Sequence, residues 1–113
     1  EATARQLELL LSKRFRERLS RELVAKAVGY SPSHCARVYK AITGKTLLKR
    51  LTELRMEEAK SLLLESTLAV GDSGMELGFD SFSHFSHAFR GHTGVVPSEY
   101  RRSGGRVYPA GRD

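Results

Sequence analysis

The sequence predicts an all-α fold in which a long linker helix joins two helix-turn-helix units. Two observations carry this expectation. Apolar residues recur at helical spacing along nearly the whole chain, and the alternation of a half-buried strand never persists beyond a few residues. In addition, residues 31–44 (SPSHCARVYKAITG) align without gaps with residues 81–94 (SFSHFSHAFRGHTG), so one structural unit occurs twice.

Taken in order, Leu7, Leu10, Leu11 and Phe15 mark one face of a first helix. Ser20 is placed to cap a second, which carries Val24, Ala25 and Val28 and stops at Gly29. Ser31 followed by Pro32 starts a third, because the hydroxyl caps the free amides and proline suits the first helical position. Cys35, Val38, Tyr39 and Ile42 form its expected buried stripe, and Thr43-Gly44 ends it. From Thr46 to about Glu65 runs the longest uninterrupted pattern, with Leu47, Leu51, Leu54, Ala59, Leu62 and Leu63 inward and charged residues between. At ~1.5 Å per residue this strut is roughly 28 Å long. The second unit opens with a short helix from Val70 to Leu77 and Gly78, followed by the repeated segment. Pro97 and Tyr100 then close a last helix over it. The expected organisation is a first subdomain over 1–45, a linker helix over 46–65, a second subdomain over 66–102 and a flexible tail over 103–113.

Length and charge bound the function. A chain of 113 residues buries a core without disulfides or a structural metal. Nineteen Lys and Arg against thirteen Asp and Glu leave a net charge of +6, the balance of a protein whose partner is a polyanion. The single cysteine, Cys35, has no thiol partner and lies in the anchor stripe, which points to packing in a reducing compartment. No stretch approaches the roughly twenty apolar residues of a membrane span, so the cytoplasm is the expected location. A start at Glu1 rather than Met, and the Gly- and Arg-containing end, suggest a piece of a longer chain.

The repeated unit has the parts a DNA reader needs: a small residue where two helices touch, a glycine in the turn, and apolar anchors on the second helix. Ala25, Gly29, Cys35 and Val38 supply them in the first copy, and Gly74, Gly78, Phe85 and Ala88 in the second, whose turn is one residue longer. No acid occurs between Glu22 and Glu53, a stretch holding Lys26, Arg37, Lys40, Lys45, Lys49 and Arg50. None occurs over 81–98, which holds His84, His87, Arg90 and His92. The faces opposite the anchors give the base-edge candidates Ser33, Ala36, Arg37, Phe82, Ser83, Ser86 and His87, and the phosphate candidates Ser31, His34, Lys40, Ser81 and Arg90. Arg37 is the strongest of these for specific readout, since its fork donates two hydrogen bonds to guanine O6 and N7. The cap serines, with the helix-terminal amides, position the protein on phosphates.

Two helices entering successive major grooves on one face of B-DNA lie about one turn, ~34 Å, apart. The ~28 Å strut plus helix widths matches that spacing.

These residues resemble the DNA-binding domain of the AraC/XylS family of transcriptional regulators. The resemblance rests on Gly29-Tyr30-Ser31-Pro32, Arg37, Tyr39-Lys40 and Gly44; on Arg55-Met56, Ala59 and Leu62-Leu63; and on Gly78-Phe79, Ser83, Phe85-Ser86, Phe89-Arg90, Gly94 and Pro97-Ser98-Glu99-Tyr100-Arg101. It implies seven helices, two recognition helices in adjacent major grooves, double-stranded DNA as partner, and activation through RNA polymerase. It also implies an upstream effector-binding or dimerising domain outside this chain. No cofactor is implied. Three departures stand out. The fifth helix carries Ser73-Gly74, with Gly71 nearby, where the family has an Ile-Ala pair, which predicts a marginal helix. His87 stands where arginine is common, and Phe82 is apolar at a DNA-facing position.

Two other readings were weighed on the residues. His84 and His87 share a helix face, but no carboxylate or thiol joins them as a metal set would need, and His92, aligned with Ile42, reads as a partly buried core residue. Enzymatic chemistry lacks a convergent acid, base and nucleophile. The serious rival is an interaction domain that uses the same fold to bind protein.

Overall fold

The computed structural model describes residues 1–106 and is all-helical over that range. Its elements are α1 (Ala2–Arg14), α2 (Arg21–Val28), α3 (Pro32–Thr43), α4 (Leu47–Glu65), α5 (Val70–Glu76), α6 (Phe82–Thr93) and α7 (Pro97–Arg102). The packing divides the chain into two compact units, with the boundary between Leu54 and Arg55 inside α4.

In the first unit α1 packs on both α2 and α3. Leu7, Val24, Ala25, Cys35 and Tyr39 form its core, with Leu10, Leu19, Val28 and Leu47 against it. Tyr39 is buried, yet its hydroxyl donates to Glu8 Oε1 at 2.6 Å, so the phenol is satisfied without reaching solvent. Arg50 of α4 holds the other oxygen of that carboxylate at 2.9 Å, tying α1, α3 and α4 at one point. Ile42 departs from the expected stripe. It is 55% exposed, because the last turn of α3 runs past the helices that bury Cys35 and Tyr39.

The second unit is built around aromatics. Phe79 and Phe85 lie 5.4 Å apart between ring centroids, Phe85 and Phe89 6.0 Å, and Phe89 meets Tyr100 edge-on at 5.2 Å. Met56, Ala59 and Leu63 of α4 are buried, whereas Leu54 and Leu62, expected inward, are half-buried. Arg55, read as one of the charges between apolar positions, is instead buried, with its guanidinium 5.2 Å from the Phe79 ring centroid. Burial pushes its pKa down, and Asp80 counters that from the turn before α6. A delocalised cation over a ring face tolerates such a site better than an ammonium would.

The fifth helix forms despite its three weak helix formers, and the reason is tertiary. A Cβ added to Gly74 would lie 2.6 Å from the Phe85 ring, so only glycine lets α6 approach α5 this closely. Ser73 is fully buried, with its hydroxyl donating to the Ala69 carbonyl at 3.3 Å.

At the C-terminal end, α7 starts on Pro97 and buries Tyr100. Arg101 Nε donates to the Leu63 carbonyl at 2.8 Å, a cation on the open carbonyls at the end of α4. The tail expected to loosen at 103 stays tied for four residues. The Gly105 amide donates to the Tyr100 carbonyl at 2.9 Å and the Ser103 hydroxyl to the Arg106 carbonyl at 3.0 Å. The rest of that expected tail, 107–113, lies outside the described residues.

Candidate nucleic-acid interface

The two copies of the repeat fold alike, down to individual hydrogen bonds. Ser31 and Ser81 cap α3 and α6, each accepting the amide three residues on, His34 or His84, at 3.1 Å. At the other end the Thr43 and Thr93 hydroxyls donate to the Tyr39 and Phe89 carbonyls at 2.8 Å, and both helices stop on a left-handed glycine, Gly44 or Gly94. The turns before them follow one plan. Gly29 and Gly78 take positive φ, and the next residue's amide returns to the small residue of the preceding helix: Tyr30 to Ala25 at 3.1 Å, Phe79 to Gly74 at 3.2 Å. The extra residue, Asp80, follows that return.

Because Cys35 and Tyr39 point into the first unit, the opposite face of α3 points out. Ser33, Arg37 and Lys40 are exposed there, with Ala36 half-buried between them. These four line one concavity of about 490 Å³ together with Arg21 from the start of α2 and Thr46 from the start of α4. No carboxylate lines it among the described residues. Arg21 and Thr46 did not emerge as site residues from the sequence. Thr46 carried a signal, since its hydroxyl accepts the Lys49 amide at 3.0 Å and so marks another helix start, where free amides favour an anion. Arg21 carried none beyond its place beside the cap Ser20. Ser31 and His34 stand outside this concavity. The His34 ring lies on Tyr30, centroids 4.8 Å apart, and Arg37 Nη2 is 3.2 Å from His34 Nδ1.

In the second unit Phe85 and Phe89 point inward and Phe82, Ser83, His84, His87 and Arg90 are exposed, with Ser86 half-buried. Phe82 is 51% exposed, and its ring edge is 3.6 Å from where a Gly71 Cβ would stand. The side chain therefore both covers α5 and faces outward. His92 is not the core residue its alignment suggested. Like Ile42 it sits on the exposed last turn, with Nε2 3.8 Å from Glu57.

Some of the charge counted along the sequence is spent inside the fold. Lys45 pairs with Glu53 at 2.9 Å, and Arg50 with Glu8 at 2.8 Å. The hydrogen bond from Lys45 first, then those charges, hold the Glu53 carboxyl below the usual range. Likewise the basic face of 81–98 meets Glu57 from α4. Lys26, Arg37, Lys40 and Lys49 remain exposed. Burial pushes the Cys35 thiol up, which keeps it a protonated packing group. Among the described residues no helix is long and apolar enough to cross a membrane.

Comparison with known proteins places these features. A family model described as a helix-turn-helix domain matches residues 24–103. Among curated proteins the chain is 32% identical over 92 residues to the bifunctional transcriptional activator/DNA repair enzyme AdaA of Bacillus subtilis, covering 81% of this chain and 44% of that protein. The chain spans less than half the length of the first curated relatives it matches. Among solved structures, the C-terminal domain of AraT, a response regulator from Geobacillus stearothermophilus, superposes with a TM-score of 0.88 at 32% identity, over 100% of this chain and 93% of that one. The DNA-binding domain of AdpA, a global transcriptional factor solved in complex with a target DNA, superposes with a TM-score of 0.80 at 26% identity, over 89% and 90%.

Proposed function

The chain belongs to the AraC-type family of helix-turn-helix DNA-binding domains, and from that membership we propose that it reads a bipartite, asymmetric operator, one half-site per unit. The observation that carries the reading is the twice-built recognition helix: α3 and α6 share length, cap and stop, and each turns a polar face outward. An α-helix fits the major groove and reads base edges with the residues of one face. On α3, Arg37 donates to guanine O6 and N7, Ser33 and the Ala36 methyl flank it, and Lys40 takes phosphate. Ser31, with the amides at the start of α3, sets the register on the backbone. On α6, Ser83, Ser86 and His87 read bases, Phe82 contacts a thymine methyl, and Ser81 and Arg90 hold phosphates. Arg21 and Thr46 extend the phosphate contacts of the first unit, supported by the shared concavity.

The full protein's role follows at one remove. It regulates transcription, acting as an activator through RNA polymerase, with an effector-sensing or dimerising domain as the source of control. Family membership supports this part.

Selection of bound sequences from a random duplex library tests the proposal. The expected outcome is a two-part site whose centres lie about one helical turn, ~34 Å, apart. Arg37→Ala is expected to lose about 1–3 kcal/mol of discrimination at one base pair of one half-site while non-specific affinity changes little. A selection that enriches no motif, or an Arg37→Ala that weakens all sequences equally, overturns it.

A further inference from the structure

We propose that His34 is a positioning residue for base readout: its neutral imidazole accepts a hydrogen bond from Arg37 and holds the guanidinium fork ready for guanine. The inference rests on the reading of Arg37 as a base reader and adds what prepares it.

The geometry is a chain of groups each fixed by the one before. Gly29 takes a φ of 84° and lets the turn fold back, so that the Tyr30 amide reaches the Ala25 carbonyl at 3.1 Å. Tyr30 is thereby placed against α3, and the His34 ring lies on it at 4.8 Å with the planes tilted by 32°. The His34 backbone is pinned by the Ser31 hydroxyl at 3.1 Å. One turn further along, Arg37 Nη2 meets His34 Nδ1 at 3.2 Å. An arginine in water samples many rotamers, and whatever holds the fork before DNA arrives lowers the ordering cost of binding.

The second unit has no such relay. His84 stands at the matching position but meets Phe79 edge-on at 5.1 Å, and His87 replaces the arginine. Discrimination is therefore expected to be stronger in the half-site read by α3.

The chemistry gives the idea a signature. A guanidinium only donates, so Nδ1 accepts only while the ring is neutral with its proton on Nε2. Protonation turns both ring nitrogens into donors and sets two cations side by side. Histidine is the side chain that changes charge near physiological pH. The groups that face this ring are Arg37 on its own helix, the Tyr30 phenol from the turn, and, from the start of α1, the Glu1 carboxylate with the amino terminus. Glu1 is held below the usual carboxylate range first by the Ala4 amide and, among smaller causes, by His34. Acidification removes the acceptor for Arg37 while adding positive charge beside the phosphates. Discrimination is expected to fall as general affinity rises, and a residue that merely supports the fold would move both together.

The test compares duplexes differing only at the base pair whose discrimination Arg37→Ala abolishes, by fluorescence anisotropy on the whole chain. His34→Ala is expected to lower the discrimination ratio about two- to tenfold, the scale on which one immobilised side chain weighs in binding. Affinity for unrelated DNA should stay within about twofold. His34→Asn, whose amide oxygen approximates Nδ1, restores the ratio. His34→Ala in the Arg37→Ala background changes nothing further. From about pH 8 to about pH 6 the wild-type ratio falls, and in His34→Ala it stays flat. An unchanged ratio in His34→Ala, an equal loss in the Arg37→Ala background, or a wild-type ratio that does not move with pH overturns the proposal. Failure of Arg37→Ala itself to reduce discrimination at any base pair identifies the underlying reading as the fault.

Discussion

Gly74 shows how one residue settles a helix that local preference leaves in doubt. The first unit fills the contact between its paired helices with Ala25 and Cys35, two small side chains in one cluster. The second fills the matching space with Phe85 and therefore has no room for a methyl on α5. Alanine at 74 gains up to ~1 kcal/mol of helix propensity, but it meets the Phe85 Cβ at 2.8 Å as well as the ring, so rotating the ring does not relieve the clash. Overpacking of this kind costs about 1–3 kcal/mol and decides the sign. Gly74→Ala is expected to lower the melting temperature by several degrees, and Phe85→Leu in that background to recover part of the loss. A melting temperature equal to or above the wild type would show that Phe85 is not what requires the glycine. The same scale explains Ile42 and His92. Periodicity reports the angle at which a side chain leaves its helix, but not whether a neighbour extends far enough to cover it.

Among the elements, α1, α3 and α4 meet at the Glu8 carboxylate, which accepts from Tyr39 and Arg50. Burial acts to raise its pKa, and the hydrogen bonds from Arg50 and Tyr39 outweigh it, so the group ends below the usual carboxylate range. Burial, then Glu8 itself, pushes the Tyr39 phenol far up. Since the folded carboxyl is the more acidic one, the unfolded chain takes up the proton first as pH falls. The stability from Glu8 is whole above about pH 4.3 and drains away as pH drops through the lowered folded value. Glu8→Gln is expected to flatten the acid limb of the stability curve and to cost roughly 1 kcal/mol at pH 7, the upper end for a partly exposed pair. Denaturant melts at pH 7 and about pH 3.5 check this, and an unchanged difference between the two would remove Glu8 from the account. The caps at this scale were legible from residue type alone. Ser31 with Pro32, Ser81, and Thr-Gly at both ends name the limits of α3 and α6, because unpaired amides and carbonyls need those groups wherever the helix packs.

For the whole molecule, the net charge of +6 overstates what a polyanion meets, since Lys45 and Arg50 are held by Glu53 and Glu8. Binding is expected to weaken linearly with log salt, and Lys40→Ala to reduce the slope by about 0.9, the value for one phosphate contact. Lys45→Ala is expected to leave the slope unchanged. Equal effects of the two on the slope would mean that the internal pairing does not govern which cations reach DNA.

Fold class, helix order, the repeat, its caps and the outward face of each recognition helix were all present in the sequence. Each depends on local rules, such as 3.6-residue periodicity and capping chemistry, that act the same in any surroundings. Four matters depended on tertiary structure: the burial of Arg55 against Phe79, the need for glycine at 74, the neutralisation of Lys45 and Arg50, and the grouping of Arg21 and Thr46 with α3. Each joins residues far apart along the chain or on different helices, and spacing within one helix carries no information about what another brings to meet it.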